Sequence, residues 1–228
     1  MKRSEPKPEP KFRRIAAAQR RASLIAATLQ CLRQHGHEGA SVRRISAAAG
    51  VSMGLINHHF PGSASLIAAA YDSLADLLLT SMRRQADEAG AQASRGRLRR
   101  FFEASFAPEV LDPGLFRIWL VFWSMVPHSQ EMRAVHERTY GRYRQTLESL
   151  LDQLRREPGV PPFRIAAAAI GLSALMDGLW VELSLNPSAF RATDAIALCN
   201  DWVAALAVGA FPGLATGGGA RRRSRASG

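Results

Sequence analysis

The chain has 228 residues, 47% of them hydrophobic, and a net charge of +11. This is enough for one large domain or two small ones with a sizeable buried core. The two cysteines, Cys31 and Cys199, fall on apolar helical faces, which excludes a disulfide-stapled class and predicts small core residues. The basic N-terminus has no signal-peptide run behind it, and the longest apolar run, Ile165 to Met176, is shorter than the ~20 residues of a membrane span. We therefore expect a soluble cytoplasmic protein without a membrane partner.

The positive charge is concentrated at the two ends of the chain. Residues 1–21 hold eight Lys and Arg against two acids, and four arginines lie between residues 221 and 225, which leaves a net charge of +1 for residues 22–220. Residues 1–14 are predicted to be a flexible basic arm and residues 211–228 a disordered Gly/Arg tail. Such segments can follow a phosphate backbone, but merely solubilising tails have the same composition.

Hydrophobic periodicity predicts helices along the whole chain and no convincing strand. A first helix runs to about His35, and a long one from Ser63 to about Ala89, roughly 40 Å at ~1.5 Å per residue, is a candidate connecting rod. Further helices are predicted over residues 94–106, 113–126, 129–156, 163–185 and 193–208. The sequence therefore predicts an all-α fold of about nine helices, with a small three-helix head at 15–62 and a larger helical body at 63–210.

The stretch from Ser41 to Phe60 has the pattern of two short helices joined by a tight corner. Ser41 is placed to cap the first helix, Gly50 lies in the corner, and Ser52 is placed to cap the second, which Pro61 prevents from continuing. This is the spacing of a helix-turn-helix, whose second helix can lie in the DNA major groove. An ordinary helical hairpin has the same pattern.

The first turns of the second helix supply the candidate base-contacting residues. Asparagine can pair with adenine, serine and histidine can reach phosphates or base edges, and Gly54 would let the backbone approach DNA closely. The candidates are Ser52, Met53, Gly54, Leu55, Asn57 and His58, with Arg43 and Arg44 on the preceding helix placed for phosphates. Each could instead be a solvated surface residue.

The body contains an unusual aromatic and acidic set: Trp119, Phe122, Trp123, Asp177 and Trp180. Aromatic faces and one anion are what a cage for an organic cation needs, and a carboxylate in so apolar a helix is costly unless it is paired. Alternatively, the aromatic residues fill the core and Asp177 bonds a backbone amide or an arginine. We find no catalytic grouping or metal-ligand spacing, so neither an enzyme nor a cofactor is expected.

The last two long helices are the predicted dimer interface. Their small residues, among them Gly171 and Ala174, allow close helix approach, so the two helices and a symmetry mate could form a four-helix bundle. The same residues could instead pack within one subunit.

The segment LIAATLQCLRQHGHEGASVRRISAAAGVSMGLINHHFPGSASLIAAA resembles the DNA-binding head of the TetR family of regulators. The stretches SLIAAAYDSL, WLVFWSMV and ALMDGLW are similar to its choline-responsive BetI branch, which extends the resemblance to most of residues 15–208. It implies a homodimeric repressor of choline and glycine betaine genes that places Ser52–His59 in the major groove of a near-palindromic double-stranded operator. A small cationic effector such as choline would shift the long helix from Ser63 and release the DNA.

Two positions depart from the family pattern. Many members have tyrosine where this chain has Asn57 and lysine where it has Ser63, and both positions contact phosphate in the family. Asn57 and the Ser63 hydroxyl at its helix N-terminus can still bond phosphate, and we expect the basic arm to supply the missing charge. A TetR-type regulator of another ligand, such as a lipophilic amine, and a non-specific architectural DNA-binding protein remain the alternatives.

Overall fold

The fold is taken from a computed structural model that describes residues 11–88 and 94–216. These ranges contain nine α-helices, two 3-10 helices and an isolated bridge between Phe163 and Ala215, which confirms the predicted all-α class. The α-helices are α1 Lys11–His35, α2 Val42–Ala49, α3 Met53–His59, α4 Ser63–Glu88, α5 Ser94–Ser105, α6 Pro113–Met125, α7 Gln130–Arg155, α8 Ile165–Leu185 and α9 Ala192–Ala207; the 3-10 helices are Gly36–Ala40 and Pro212–Leu214.

The chain divides into two compact units, which we describe separately. The first comprises the described residues of Met1–Ala75 together with Gly114–Glu137, and the second those of Asp76–Pro113 and Arg138–Gly228. Helices α4 and α7 contribute to both units. The units therefore do not divide at the domain boundary predicted between residues 62 and 63, because α6 and the first half of α4 belong with the head. The assignment of functional domains stays a prediction.

The core of the first unit forms where α1, α2, α3 and the start of α4 meet. Apolar residues spaced three and four apart on α1 share one face and meet single large residues from the short helices. Phe60, directly after α3, is fully buried among them. This cluster consists of Leu24, Ala27, Cys31, Ile45, Ile56, Phe60 and Leu66. Burying each of its larger side chains contributes about 1.5–3 kcal/mol, so the short helices α2 and α3 depend on this core.

In the second unit, α5, α7, α8 and α9 pack with the end of α4 around a second core. Its largest fully buried side chains include Leu98, Phe101 and Phe102 of α5. Cys199 is also fully buried here, and burial raises the pKa of its thiol to about 12. Both Cys31 and Cys199 are free and buried, which confirms that they are core residues.

The two ends of the folded chain differ from the sequence-based boundaries. Helix α1 already begins at Lys11, inside the predicted arm. At the other end, the amide of Arg164 donates to the carbonyl of Leu214 at 2.8 Å, and the rings of Phe211 and Trp202 stack with centroids 5.2 Å apart. The folded body therefore extends to residue 216, six residues into the predicted tail. Residues 1–10 and 217–228 lie outside the described residues.

Two apolar helices are less buried than their composition suggests. Helix α6 is nearly all apolar, but Leu120 is 46% exposed and Arg117, three residues before it, is exposed on the same side. Among the described residues, α8 is the one helix long and apolar enough to cross a membrane, a test that core helices of soluble proteins also meet. Only 28% of its most apolar window is buried within the subunit, so α8 has a face available for a partner.

The segment between α1 and α2 depends on a close backbone approach at Gly39. A Cβ atom on this residue would lie 2.2 Å from the carbonyl oxygen of Cys31, which belongs to the backbone and has little freedom to move. Glycine is therefore required here for the chain to turn from α1 into α2.

We expect Gly39→Ala to destabilise the protein by about 2 kcal/mol or more, as overpacking of a rigid site does. Gly141→Ala is the matched control, because Gly141 lies within α7 and an added Cβ meets nothing within 4 Å. Helix propensity predicts that this control gains about 0.5–1 kcal/mol. Thermal unfolding of both variants measures the difference; equal melting temperatures would contradict the close approach.

Candidate DNA-binding and effector sites

Local capping interactions define the helix pair α2–α3. The Ser41 side chain accepts the amide of Arg44, and the Ser52 side chain accepts the amide of Leu55, both at 3.3 Å. Between the helices, Gly50 takes the left-handed conformation at φ 65° and its amide bonds the carbonyl of Ala47. Each predicted cap and the glycine corner are thus present, and they set the angle at which α3 leaves α2.

Most candidate DNA-contacting residues share the open side of this pair. Ile56 is fully buried and anchors α3 to the core, while Met53, the first residue of α3, is 54% exposed. An added Cβ on Gly54 would meet only the Ser52 hydroxyl, at 3.9 Å, so the fold itself does not demand glycine there. The exposed candidates are Arg43, Arg44, Ser52, Met53, Gly54, Asn57 and His58; Leu55, His59 and Ser63 are half-buried.

The charge of this surface favours an anionic partner. Residues 41–63 contain two arginines and two histidines and no aspartate or glutamate. Phosphates could therefore approach α2 and α3 without repulsion from this stretch. Metal binding has no comparable support, because the described residues contain no group of three His, Cys, Asp or Glu side chains placed to hold an ion.

Arg21 is a neighbour of α3 that sequence reasoning missed. Its guanidinium lies 4.1 Å from the ring centroid of Phe60, and its Nη1 donates to the carbonyl of His59 at 3.2 Å. Arg21 precedes Leu24 by three residues, so it continues the core-facing side of α1. That spacing was a usable signal, but the contact spans 38 residues and the partner could not be read from the sequence.

An aromatic cluster surrounds Tyr71 in the first unit. The fully buried Tyr71 ring stacks on Phe122 at 4.6 Å and meets the edge of Trp119 at 5.1 Å. Trp119 and Trp123 are neighbours, with centroids 6.2 Å apart. The Tyr71 hydroxyl also shares a hydrogen bond of 2.8 Å with Nδ1 of His136. The three predicted residues of α6 therefore lie together, and Tyr71 and His136, which the sequence did not indicate, belong to the same cluster.

A half-buried acid, Asp177, lies in the second unit. The Tyr140 hydroxyl donates to Oδ2 of Asp177 at 3.3 Å, and the Ser173 side chain is a second hydrogen-bond partner. Burial raises the pKa of Asp177 to about 6, although both hydrogen bonds act to lower it. The two partners that the described residues supply are thus hydroxyls, and the predicted alternative of an arginine or a backbone amide does not describe this carboxylate.

Aromatic residues line the neighbourhood of this acid. The Tyr140 and Tyr143 rings lie 6.3 Å apart, and burial raises the pKa of Tyr143 well above its usual value. The Tyr143 hydroxyl points at the sulfur of Met176 at 3.5 Å. Trp180, one helical turn from Asp177, donates its indole N–H to the carbonyl of Val110 at 3.1 Å, which orients the ring. Of the five residues predicted for the cage, Asp177 and Trp180 belong to this unit, while Trp119, Phe122 and Trp123 belong to the other. Their roles in effector binding stay a prediction.

Two known protein families match this chain, one in its N-terminal part and one in its C-terminal part. Residues 24–70 match the bacterial regulatory proteins of the tetR family, and residues 94–208 match the C-terminal domain of BetI-type transcriptional repressors. The chain is a member of the TetR family, of the BetI type. It is therefore a DNA-binding transcriptional repressor and not an enzyme.

Individual relatives extend this agreement over most of the chain. The HTH-type transcriptional regulators BetI of Burkholderia thailandensis and Vibrio vulnificus are 32% and 30% identical over 81% of this chain, and 91% and 90% of their own lengths are covered. A solved structure assigned as a transcriptional regulator of Pseudomonas aeruginosa PAO1 is 45% identical, with a TM-score of 0.80 over 91% of this chain and 100% of its own. A regulator from Saccharomonospora viridis in complex with choline has the same fold at 21% identity, with a TM-score of 0.69 over 82% of this chain and 96% of its own.

The raised pKa of Asp177 predicts how stability changes with pH. A carboxyl whose pKa is raised by folding stabilises the protein below its unfolded pKa and loses that contribution as the pH rises through the folded value, here about 6. Asp177→Asn removes the ionisation. Since one pKa unit is worth about 1.4 kcal/mol, the variant is expected to gain up to about 3 kcal/mol at neutral pH and nothing near pH 4.

Thermal unfolding of Asp177→Asn and wild type across this pH range measures the gain. Glu182→Gln, an exposed acid on the same helix α8, is the control and should follow wild type. A loss of stability in Asp177→Asn at neutral pH would mean that the carboxylate has a cationic partner, and would contradict the assignment.

Proposed function

We propose that this chain is a repressor of choline and glycine betaine metabolism genes. It acts in the cytoplasm as a homodimer on a near-palindromic operator, and choline or a similar small organic cation releases it. The observation that carries the proposal is Asp177, a carboxylate desolvated within an apolar helix and hydrogen-bonded to hydroxyls. The BetI names of the curated relatives and the choline complex of a protein with the same fold support it.

Recognition of DNA is assigned to the exposed side of α2 and α3. Asn57 is the one exposed amide on α3 and is proposed to read a base, with Ser52, Gly54 and His58 closing on the groove beside it. Arg43 and Arg44 are proposed to bind phosphates. Ser63 is only half-buried at the first turn of α4, where its hydroxyl and the helix N-terminus can approach a further phosphate.

Dimerisation is assigned to α8 and α9. Both helices leave large apolar side chains in solvent, Ile170 at 56% exposure and Leu198 at 48%, and Val208, directly after α9, is 77% exposed. Small residues such as Ala174 lie exposed between them on α8 and permit close helix approach. A two-fold partner would cover this surface, and two heads would then meet two half-sites of an operator.

Choline would stabilise the ionised carboxylate of Asp177. Without ligand, ionising this carboxylate removes a charge from water, and the described residues offer only neutral hydrogen bonds from hydroxyls in return. A quaternary ammonium ion cannot donate hydrogen bonds, but its charge is attracted by the carboxylate and by aromatic faces. Tyr140 and Tyr143 supply such faces beside Asp177, and Trp180 is held nearby by its bond to Val110. A bound cation would therefore stabilise the ionised form of Asp177, which the protein alone stabilises poorly.

Release requires that the effector bind the conformation that does not bind DNA more tightly. Within the first unit, α6 is linked to the end of α1. The exposed Arg117 donates from Nη1 to the carbonyl of Arg33 at 2.7 Å, near the end of α1. A displacement of α6, which carries Trp119, Phe122 and Trp123, would thus act on α1, in addition to the proposed shift of α4.

The operator assignment predicts two distinguishable mutant behaviours. Asn57→Ala should weaken binding to the operator about tenfold or more while leaving the salt dependence unchanged, because a base contact is lost. Arg44→Ala should weaken binding to all sequences and reduce the slope of log affinity against log salt by about 0.9, because one phosphate contact is lost. Binding is measured by fluorescence anisotropy on an operator selected from random duplexes.

Arg84→Ala is the control for this experiment. Arg84 lies on α4, paired with Glu88, in the other compact unit. It should change neither affinity nor slope. If Asn57→Ala and Arg44→Ala both resemble Arg84→Ala, α2 and α3 do not bind DNA.

The effector assignment predicts release by choline from the wild-type protein. Asp177→Ala and Trp180→Ala should bind the operator normally but lose choline-dependent release, whereas Glu182→Gln should respond as wild type does. Anisotropy of the labelled operator during a choline titration measures both properties. Absence of release from the unmutated protein rules out choline, and release by a lipophilic amine instead would support the alternative of a different ligand.

A further inference from the structure

Helix α3 has a weak point at its C-terminal end. It has seven residues, and its last turn leaves carbonyl groups without partners inside the helix. The amide of Phe60 bonds the carbonyl of Ile56 at 2.8 Å, but the carbonyl of His59 needs a donor from elsewhere. A helix this short has little stability of its own, so its position depends on what holds its ends.

Arg21 supplies that donor and a second contact at the same point. Its Nη1 bonds the carbonyl of His59 at 3.2 Å, and the guanidinium lies 4.1 Å from the ring centroid of Phe60. Phe60 is fully buried, so the ring is a rigid platform. A cation beside a helix C-terminus also interacts favourably with the helix dipole. One side chain of α1 thereby contacts both the His59 carbonyl at the end of α3 and the ring of Phe60, the next residue.

We infer that Arg21 is a positioning residue for operator binding: it clamps the C-terminus of α3 onto α1 and so holds the orientation in which α3 enters the groove. This rests on the proposed role of α3 as the DNA-reading helix. A clamp differs from a phosphate ligand in its consequences. Losing a clamp lowers the affinity for the correct sequence, because base contacts require an aligned helix, whereas losing a phosphate ligand lowers affinity for every sequence.

Arg20 offers a matched control on the same turn of α1. It is exposed and carries the same charge, about 100° around the helix from Arg21. Arg20→Ala therefore removes the same long-range electrostatic attraction without touching the clamp. Arg21→Lys keeps the charge, but an ammonium group cannot lie flat on the Phe60 ring while also bonding the His59 carbonyl as a guanidinium does.

The experiment measures binding of full-length protein to the selected operator and to a scrambled duplex over a series of salt concentrations. Arg21→Ala is expected to weaken operator binding about tenfold, to leave scrambled-duplex binding within about twofold, and to keep the salt slope of wild type. Arg21→Lys should recover little of the loss, and Arg20→Ala should lose about twofold or less. Amide hydrogen exchange should be faster from Ile56 to Phe60 in Arg21→Ala than in Arg20→Ala.

A different pattern overturns the inference. If Arg21→Ala weakens both duplexes equally, flattens the salt slope by about 0.9 and is restored by lysine, Arg21 is a phosphate ligand. No change in operator binding or amide exchange also refutes the clamp. Asn57→Ala, measured alongside, distinguishes a failure of the Arg21 inference from a failure of the proposed function. If this variant also leaves operator binding intact, α3 is not the DNA-reading helix. Arg21→Lys keeps the test valid if Arg21→Ala does not fold.

Discussion

The proposed effector site depends on one constraint: the half-buried Asp177 carboxylate is hydrogen-bonded to hydroxyls, and the described residues place no cation beside it. Hydrogen bonds from Tyr140 and Ser173 are too weak to offset desolvation, so the pKa stays near 6 and ionisation opposes folding at neutral pH. Replacing Asp177 by a neutral residue would be the simplest route to a more stable helix α8. That the chain retains an acid there is explained if a cation binds, since stability is commonly given up at binding sites.

In the head, several contacts fix the positions of α2 and α3, while few exposed side chains are available to contact DNA. Serine caps, the Gly50 corner and the Gly39 contact define α2 and α3 from one side, and Arg21 holds the far end of α3. Few exposed side chains then remain on α3 for the proposed base contacts, with Asn57 foremost. Because residues 41–63 contain only two arginines, we expect part of the attraction to the phosphate backbone to come from α1, where four Lys and Arg besides Arg21 and no acid lie between residues 11 and 20.

Much of this could be predicted from the sequence because the signals were local. Serine–glycine spacing located both helices of the head, and apolar periodicity located the cores. The features that could not be predicted from the sequence depend on contacts between residues that are distant in the chain. Phe211 packs on Trp202, which no composition rule for a Gly/Arg tail could anticipate. One hydrogen-bond partner of Asp177 is a tyrosine 37 residues away, and Arg21 contacts Phe60, which lies in another helix-end segment of the head. The grouping of Tyr71 with the α6 aromatics likewise required the fold.

Proton release on effector binding is the most direct test of the account. Choline binding is titrated calorimetrically in buffers of different ionisation enthalpy at about pH 6 and about pH 8. A cation beside Asp177 must lower the pKa of that carboxyl, so roughly half a proton per subunit should be released at the lower pH and almost none at the higher. Binding without proton release at about pH 6, or with release that persists in Asp177→Asn, would contradict the claim that Asp177 receives the cation.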